Sequence, residues 1–220
     1  MTDAATRLRS IHAEIAAAAR LARRQPDAIT LVAVTKTRPA GDIEALIEAG
    51  QRDFGENRVQ EVQAKWPELR SRHPDVRLHA IGRLQSNKAE SAVELFDVIH
   101  SLDRPSLLDA LVAAGERAGR LPQVYVQVSI GEEEQKGGVA LAELPAFLDR
   151  VRASPLPLAG LMAMPPLGVE PSPYFALLAK LARRHDVTGL SMGMSGDYRA
   201  AVMLGATLVR IGSALFEDVD

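Results

Sequence analysis

The 220-residue sequence contains no cysteine, which excludes disulfide bonds and thiolate metal sites and is consistent with a reducing compartment. No stretch approaches the roughly 20 consecutive apolar residues that a membrane-spanning helix needs. Residues 1–8 also lack the continuous apolar segment of a secretory signal peptide. From these absences we expect a cytoplasmic protein without a membrane segment.

An excess of charge of either sign is missing as well, because 26 Lys and Arg residues face 28 Asp and Glu residues and leave a net charge of -2. No basic stripe gathers along the chain, so we expect no nucleic-acid partner. No His and carboxylate residues have metal-ligand spacing, and we expect no metal. The 47% of hydrophobic residues is typical of a globular protein with one substantial core.

Short apolar segments alternate with longer amphipathic ones after residue 28. Residues 29–35 (Ile-Thr-Leu-Val-Ala-Val-Thr) are nearly all apolar and rich in β-branched side chains, which predicts a strand buried on both faces, as in parallel sheets. Further strands are predicted near residues 52–54, 77–81, 96–101, 123–130, 158–164, 189–192 and 207–211. Eight strands mostly followed by helices predict an α/β fold, a closed (β/α)8 TIM barrel. An open doubly wound sheet stays as the alternative, because the second and fourth strands are weakly marked.

An additional helix is predicted before the barrel. Leu8, Ile11 and Ile15 recur near helical spacing, so we expect residues 1–25 to form a helix that packs on the barrel. No linker or low-complexity segment divides the chain, which predicts a single domain over residues 1–220. A helix after the second strand is predicted over residues 56–66, ending at Pro67.

Chemistry in such barrels takes place at the carboxyl ends of the strands. This rule selects Lys36, which follows the most apolar strand. A lysine in a low-dielectric site loses its proton readily, and the neutral amine can condense with an aldehyde or ketone. Taken alone, Lys36 fits an ordinary solvated lysine equally.

Two later loops combine glycines, hydroxyl groups and free N–H groups at a helix start, which are features that bind phosphate. They are residues 191–197 and 210–214, after the seventh and eighth predicted strands, where barrels often hold phosphate. Ser195, Gly212 and Ser213 are the candidates. Helix capping remains open for Ser195 and a tight turn for Gly212. An amine opposite a phosphate site also fits a Schiff-base aldolase.

Three further polar residues have both a structural and a functional interpretation. Arg210 lies on the eighth predicted strand and either faces a ligand or pairs with a carboxylate inside the barrel. His79, within the third strand, is either a core residue or a ligand contact. Asn57 either caps a helix or contacts a ligand.

Together these segments resemble the pyridoxal phosphate homeostasis protein family, also called the proline synthetase co-transcribed family. The resemblance covers about residues 28–216, and its motifs are highly specific jointly although each is weak alone. The matching segments, in family order, are residues 33–37 (Ala-Val-Thr-Lys-Thr), 54–61 (Phe-Gly-Glu-Asn-Arg-Val-Gln-Glu), 79–88 (His-Ala-Ile-Gly-Arg-Leu-Gln-Ser-Asn-Lys), 161–165 (Leu-Met-Ala-Met-Pro), 191–197 (Ser-Met-Gly-Met-Ser-Gly-Asp) and 209–213 (Val-Arg-Ile-Gly-Ser).

The resemblance implies a barrel like the N-terminal domain of alanine racemase, with pyridoxal 5′-phosphate (PLP) held as a Schiff base on Lys36. It implies phosphate contacts around Ser195, Gly212 and Ser213 and a place for Arg210 near the pyridine nitrogen. The cofactor-binding residues that we expect are Lys36, Asn57, His79, Ser195, Arg210, Gly212 and Ser213. Family members are regarded as carriers or regulators of PLP supply, so we expect a monomer without catalytic residues that takes part in PLP homeostasis and supplies apo PLP-dependent enzymes.

Two positions depart from the family pattern. Arg38 stands where a second lysine is common, and Glu217 follows Phe216 where glycine is frequent. Because arginine cannot form an imine, Arg38 is not expected to accept PLP during hand-over.

The alternative function is that of a PLP-dependent amino-acid racemase. Two-base racemisation as in alanine racemase needs a second domain that brings a tyrosine to the other face of the cofactor. This chain ends at Asp220, and none of Tyr125, Tyr174 and Tyr198 is an obvious second base, which favours a carrier. The aldolase alternative does not explain the motif match.

Overall fold

The computed structural model describes residues 4–131 and 137–216, so that Lys136 and Glu217 lie outside the described residues. Its eight parallel strands form a closed barrel in chain order, which confirms the predicted barrel and excludes the open sheet. The strands are β1 (Thr30–Val34), β2 (Asp53–Glu56), β3 (Arg77–Ala80), β4 (Val98–Leu102), β5 (Gln123–Gln127), β6 (Leu158–Met162), β7 (Gly189–Ser191) and β8 (Leu208–Ile211).

Helices cover the outside of the barrel. They are α1 (Ala4–Leu21), α2 (Ala40–Glu48), α3 (Val59–Arg72), α4 (Ala89–Leu95), α5 (Pro105–Ala118), α6 (Leu144–Ala153), α7 (Ser172–Arg184), α8 (Tyr198–Met203) and α9 (Ser213–Phe216). Short 3₁₀ turns lie at Pro26–Ala28 and Ser86–Lys88. Among the described residues no helix is both long and apolar enough to cross a membrane.

The barrel closes where β1 pairs with β8. Val32 lies opposite Arg210, and Ala33 lies opposite Ile211. Because β1 and β8 are parallel, the segments that follow them leave the barrel at the same rim immediately after this pairing. The residues that follow β1 and β8 are therefore neighbours.

Side chains on the two faces of the strands form separate apolar clusters. Large residues such as Phe54, Phe96 and Phe175 pack between strands and helices in the larger cluster. The smaller cluster fills the barrel interior and consists of Val32, Val98, Tyr125, Met162 and Leu208. Strict alternation along a strand explains this division, because Val32 faces inward while its neighbours Leu31 and Ala33 face the helices.

The predicted N-terminal helix is present as α1, and its apolar residues Leu8, Ile11 and Ile15 are buried. Glu14 attaches it to α8, because it accepts a hydrogen bond from the Tyr198 hydroxyl and forms an ion pair with Arg199 at 2.5 Å. The assignment of residues 1–220 to a single domain stays a prediction.

Two helices differ from the sequence-based expectation. The prediction that a helix ends at Pro67 is wrong, because α3 continues through Pro67 to Arg72. Trp66 and Leu69 are buried on the same face, and Arg70 donates to the Leu95 carbonyl at 2.8 Å, so packing on both sides of the proline outweighs the lost N–H. α4 was not predicted, because its buried face consists of small residues (Ala89, Ala92 and Val93) that give a weak periodic signal.

Gly160 provides the space that Tyr125 needs inside the barrel. A Cβ atom at residue 160 would lie 2.3 Å from the Gly189 carbonyl oxygen and 2.6 Å from Tyr125 Cε1. We expect Gly160→Ala to lower the free energy of unfolding by about 1–3 kcal/mol, because backbone or ring must shift. Urea unfolding followed by circular dichroism measures the change.

The matched control is Gly41→Ala in α2, where no atom lies within 4 Å of the added Cβ. There we expect a gain of up to about 1 kcal/mol from helix propensity. A Gly160→Ala protein as stable as the wild type would contradict the proposed packing.

Candidate functional site

A cavity of about 580 Å³ opens at the carboxyl ends of the strands. Its described lining includes six of the seven predicted site residues: Lys36, Asn57, Ser195, Arg210, Gly212 and Ser213. They come from four different strand ends, and only barrel closure brings them together. His79 is not among the described residues that line the cavity.

Lys36 stands on a turn that immediately follows β1. Thr35 is buried, whereas Lys36 and Thr37 are exposed. Of the two alternatives considered for Lys36, the solvated one describes its surroundings, because the chain leaves the apolar barrel one residue earlier and turns into the open cavity. Thr37 has a φ of 62°, a left-handed conformation that is unfavourable for a β-branched residue. Such a turn persists only when its surroundings hold it.

A buried ion pair holds this turn from beneath. Lys65 Nζ on α3 lies 2.8 Å from Glu56 Oε1 and donates to the Thr35 carbonyl at 2.8 Å. The same Glu56 oxygen accepts hydrogen bonds from Thr35 Oγ1 at 2.7 Å and from Trp66 Nε1 at 3.0 Å. Glu56 is fully buried, so the pair fixes the backbone just before Lys36.

Sequence reasoning did not find the role of Glu56 or Lys65. The signal available was a glutamate at a strand end followed by a lysine on the next helix, which is common on surfaces and does not reveal burial. Only the packing of α3 against β2 converts it into a support for the turn.

Ser195 joins the two loops that were predicted to bind phosphate. Its Oγ accepts the Gly212 N–H at 3.1 Å and the Ala214 N–H at 3.5 Å. Ser195 does not cap α8, whose N-cap is Asp197, but it does accept N–H groups at the start of α9. Gly212 lies against β1, since a Cβ there would be 3.4 Å from Val34 Cβ. A hydroxyl group and backbone N–H groups thus converge beside the turn that carries Lys36.

Arg210 is buried at the base of the cavity. Its Nη1 donates to the Ser191 carbonyl at 2.9 Å and to Ser191 Oγ at 2.5 Å, and its Nη2 donates to the Ala163 carbonyl at 3.3 Å. These partners are neutral, so the carboxylate pairing considered from the sequence is not found among its hydrogen bonds. Burial lowers the pKa of Arg210 to about 10, so the guanidinium remains charged at neutral pH.

His79 lies inside the barrel beneath the cavity. Its Nε2 is 2.9 Å from Asp53 Oδ1, and its Nδ1 is 3.0 Å from His100 Nε2. The core interpretation describes this position, because His79 points inward one residue before β3 ends. Burial lowers the pKa of His79 and lowers that of His100 well below the ordinary value of 6.5.

The three tyrosines lie away from the cavity. Tyr125 stacks on His100 with ring centroids 4.7 Å apart, and Tyr198 is bonded to Glu14 on α1. Burial and the Glu14 contact raise the pKa of Tyr198 to about 12. Tyr174 opens α7 on the outside of the barrel. The described cavity lining contains no tyrosine, histidine or carboxylate.

Comparisons with known proteins agree with this architecture. The family model described as "Alanine racemase, N-terminal domain" matches residues 7–219. A pyridoxal phosphate homeostasis protein of Escherichia coli K12 is 40% identical, with 98% of this chain and 97% of the relative covered. The namesake protein of Synechocystis is 41% identical over 88% of this chain and 93% of its own length.

Solved structures give the same picture. PipY of Synechococcus elongatus PCC7942, with PLP bound, superposes with a TM-score of 0.81 at 41% identity, covering 92% of this chain and 99% of PipY. Alanine racemase of Corynebacterium glutamicum matches with a TM-score of 0.66 at 17% identity, covering 95% of this chain and 61% of the racemase, which shows the fold alone.

The buried ion pair generates a stability prediction. We expect Lys65→Met to lower the free energy of unfolding by about 3–5 kcal/mol, because it leaves the Glu56 carboxylate buried without its cation. The double variant Glu56→Gln/Lys65→Met removes both charges and should lose less. Chemical unfolding compares them with Lys180→Met, which removes an exposed lysine on α7. A Lys65→Met loss no larger than that of Lys180→Met would show that the pair does not support the fold.

The buried histidines generate a pH prediction. Their pKa values are lower in the folded protein than the 6.5 of an unfolded chain, so unfolding takes up protons below that pH. Their contribution to stability is complete above pH 6.5 and is lost as the pH falls, by at most about 1.4 kcal/mol per pH unit for each histidine.

Urea unfolding between about pH 7.5 and 5.5 should therefore show falling stability, a range in which unperturbed carboxylates do not titrate. His100→Gln should flatten this dependence, whereas His185→Gln, at the partly exposed end of α7, should leave it unchanged. Equal slopes in the wild type and His100→Gln would contradict the assignment.

Proposed function

Because the chain belongs to the pyridoxal phosphate homeostasis protein family, we propose that it binds PLP at the barrel rim and holds it as a Schiff base on Lys36. The observation that carries the proposal is the convergence of an exposed amine, a hydroxyl-and-N–H cluster and a buried guanidinium in one cavity. The PLP bound in PipY, which shares 41% of its residues with this chain, supports the same ligand here.

The described residues fit the three chemical parts of PLP. A phosphate needs donors, and Ser195, whose oxygen accepts the Gly212 and Ala214 N–H groups, keeps its own hydroxyl proton to donate where the loops after β7 and β8 meet. An aldehyde needs an amine, and Lys36 reaches the same cavity from the paired strand β1. Asn57 lines the cavity and offers an amide to the ring substituents. We do not retain His79 as a contact, because it lies in the core.

Arg210 fits the third part, the pyridine nitrogen. Bound PLP can serve as an electron sink for amino-acid chemistry, and protonation of its ring nitrogen strengthens that sink. The Arg210 guanidinium donates a hydrogen bond but does not give up its proton near neutral pH, even with a pKa of about 10. Placed at the ring nitrogen, it keeps that nitrogen unprotonated and disfavours turnover.

We therefore propose a carrier without catalytic turnover. Racemisation needs a second acid or base facing the cofactor, and the described cavity lining holds no tyrosine, histidine or carboxylate for this role. The curated relatives are named for PLP homeostasis and not for an enzymatic activity, which supports the same reading.

In this proposal the protein is a cytoplasmic monomer that stores PLP, keeps the free aldehyde low and passes the cofactor to apo PLP-dependent enzymes. The exposure of Lys36 supports exchange, because an incoming amine can reach the Schiff base from solvent. Arg38, which lies over the Phe216 ring at 4.5 Å, borders the same opening but cannot accept the aldehyde.

The test is the absorbance spectrum of the purified protein with added PLP. We expect the wild type to be yellow with a Schiff-base band, and Lys36→Ala to lack the band. Lys88→Ala is the control, because Lys88 lies on a neighbouring loop outside the cavity lining and should leave the band unchanged. Borohydride reduction followed by peptide mass spectrometry should place the pyridoxyl group on Lys36.

Modification only at Lys88 or Lys136, or a colourless protein that ignores PLP, would refute the assignment. Steady racemisation of alanine or another amino acid by the wild type, abolished in Lys36→Ala, would instead establish the racemase alternative.

A further inference from the structure

A row of hydrogen-bonded polar side chains, called the polar row below, crosses the barrel interior beneath the cavity. It starts at Asp53 on β2, which is partly exposed, and ends at the buried Arg210 on β8. Its successive separations are 2.9 Å from Asp53 Oδ1 to His79 Nε2, 3.0 Å from His79 Nδ1 to His100 Nε2, 2.8 Å from His100 Nδ1 to Ser191 Oγ, and 2.5 Å from Ser191 Oγ to Arg210 Nη1.

The partners determine where each proton lies. The Asp53 carboxylate can only accept, so His79 carries its proton on Nε2. Burial lowers the pKa of His79, so the ring is neutral at pH 7, and its bare Nδ1 must accept from His100 Nε2–H. His100 is neutral for the same reason, and its bare Nδ1 accepts the Ser191 hydroxyl proton. Ser191 Oγ in turn accepts from Arg210.

Every hydrogen bond in the polar row therefore points in one direction, from the Arg210 cation to the Asp53 anion. Aligned bonds of this kind polarise one another and are strengthened by the low dielectric of the interior. The arrangement also compensates the burial of Arg210, whose direct hydrogen-bond partners are neutral, by directing a row of dipoles towards its charge. Reversal of either link made by His100 would leave two acceptors facing each other, at His79 Nδ1 in one case and at the Asp53 carboxylate in the other.

We propose that Ser191, His100 and His79 are positioning residues that hold the Arg210 guanidinium in place at the base of the cavity, with Asp53 as their anchor. For the ligand that Arg210 faces, the inference rests on the proposed PLP site. Loss of the hydroxyl link leaves the guanidinium held only by the Ser191 and Ala163 carbonyls, so its orientation is less restricted and PLP binds more weakly. The polar row thus couples a carboxylate at the amino end of the barrel to the proposed cofactor site at the opposite rim.

The matched pair of variants is Ser191→Ala and Ser101→Ala. Both serines are fully buried on barrel strands, but Ser101 Oγ has no hydrogen-bond partner among the described residues, whereas Ser191 Oγ links Arg210 to His100. Each variant removes one serine Oγ, but only Ser191→Ala interrupts the polar row. Asp53→Asn is the third variant, because its amide oxygen can still accept from His79 while the anchoring charge is lost.

The first measurement uses the protein without PLP. Nitrogen-15 NMR of labelled histidine at about pH 7.5 should show His79 and His100 as neutral rings protonated on Nε2. Ser191→Ala should change the His100 Nδ1 resonance, and Ser101→Ala should leave it unchanged. Protonation on Nδ1 in either ring, or equal effects of the two serine variants, would contradict the hydrogen-bond directions proposed for the polar row.

The second measurement is PLP binding, followed by absorbance and by the nitrogen-15 shift of ring-labelled PLP. We expect Ser191→Ala to bind about tenfold more weakly, since one hydrogen bond to a charged group is lost, and to shift the ring-nitrogen resonance. Ser101→Ala should match the wild type, and Asp53→Asn should lie between them. An unchanged ring-nitrogen resonance in Ser191→Ala would contradict the positioning role.

These measurements separate the two proposals. If the wild type does not bind PLP but shows the expected histidine protonation, the proposed function is refuted and the proposed polar row is not. If Ser191→Ala does not fold, Asp53→Asn still tests the polar row from its other end. An unchanged His79 Nε2 resonance in that variant would contradict the proposed row.

Discussion

The closing hydrogen bonds between β1 and β8 bring the beginning and the end of the chain to one place. Val32 lies opposite Arg210 and Ala33 opposite Ile211, so the turn that carries Lys36 emerges beside Gly212 and Ser213. Parallel pairing gives both strands the same exit rim, and a closed barrel leaves no edge strand that could slip. Without this pairing the amine and the loops proposed to bind phosphate would be distant surface features.

Two buried charges beside this junction are accommodated in different ways. Glu56 has a direct cationic partner, Lys65, and the pair fixes the backbone before Lys36. Arg210 donates to carbonyl oxygens and a serine hydroxyl, and a row of neutral hydrogen-bonded groups separates it from the Asp53 carboxylate. The first arrangement supports a strained exposed turn, whereas the second leaves the guanidinium charged but without a carboxylate that would compete for its N–H groups.

The sequence predicted what depends on local pattern. Alternating apolar and amphipathic segments indicated the eight strands, and the rule that barrel chemistry lies at carboxyl ends brought out Lys36, Ser195, Gly212 and Ser213 before any family was considered. The cofactor itself came from the resemblance, since an amine opposite a phosphate site fits an aldolase equally. What depends on tertiary packing was not predictable: the continuation of α3 through Pro67, the Glu56–Lys65 pair and the alignment of His79 with His100. Nothing in the spacing of residues 53, 79, 100, 191 and 210 reveals that barrel closure places them in one line.

The exposure of Lys36 agrees with the solvated alternative considered from the sequence, and it determines what can reach the amine. A lysine enclosed in an apolar pocket would be an effective nucleophile but would restrict the exchange of its partner. An exposed lysine on a rigidly supported turn is accessible to incoming amines. Beneath it, the Arg210 guanidinium keeps its proton, and in the proposed PLP site it would hold the ring nitrogen in the state least suited to carbanion chemistry. Access above and restraint below are the properties that storage and transfer require, and both follow from side chains that barrel closure places within one cavity.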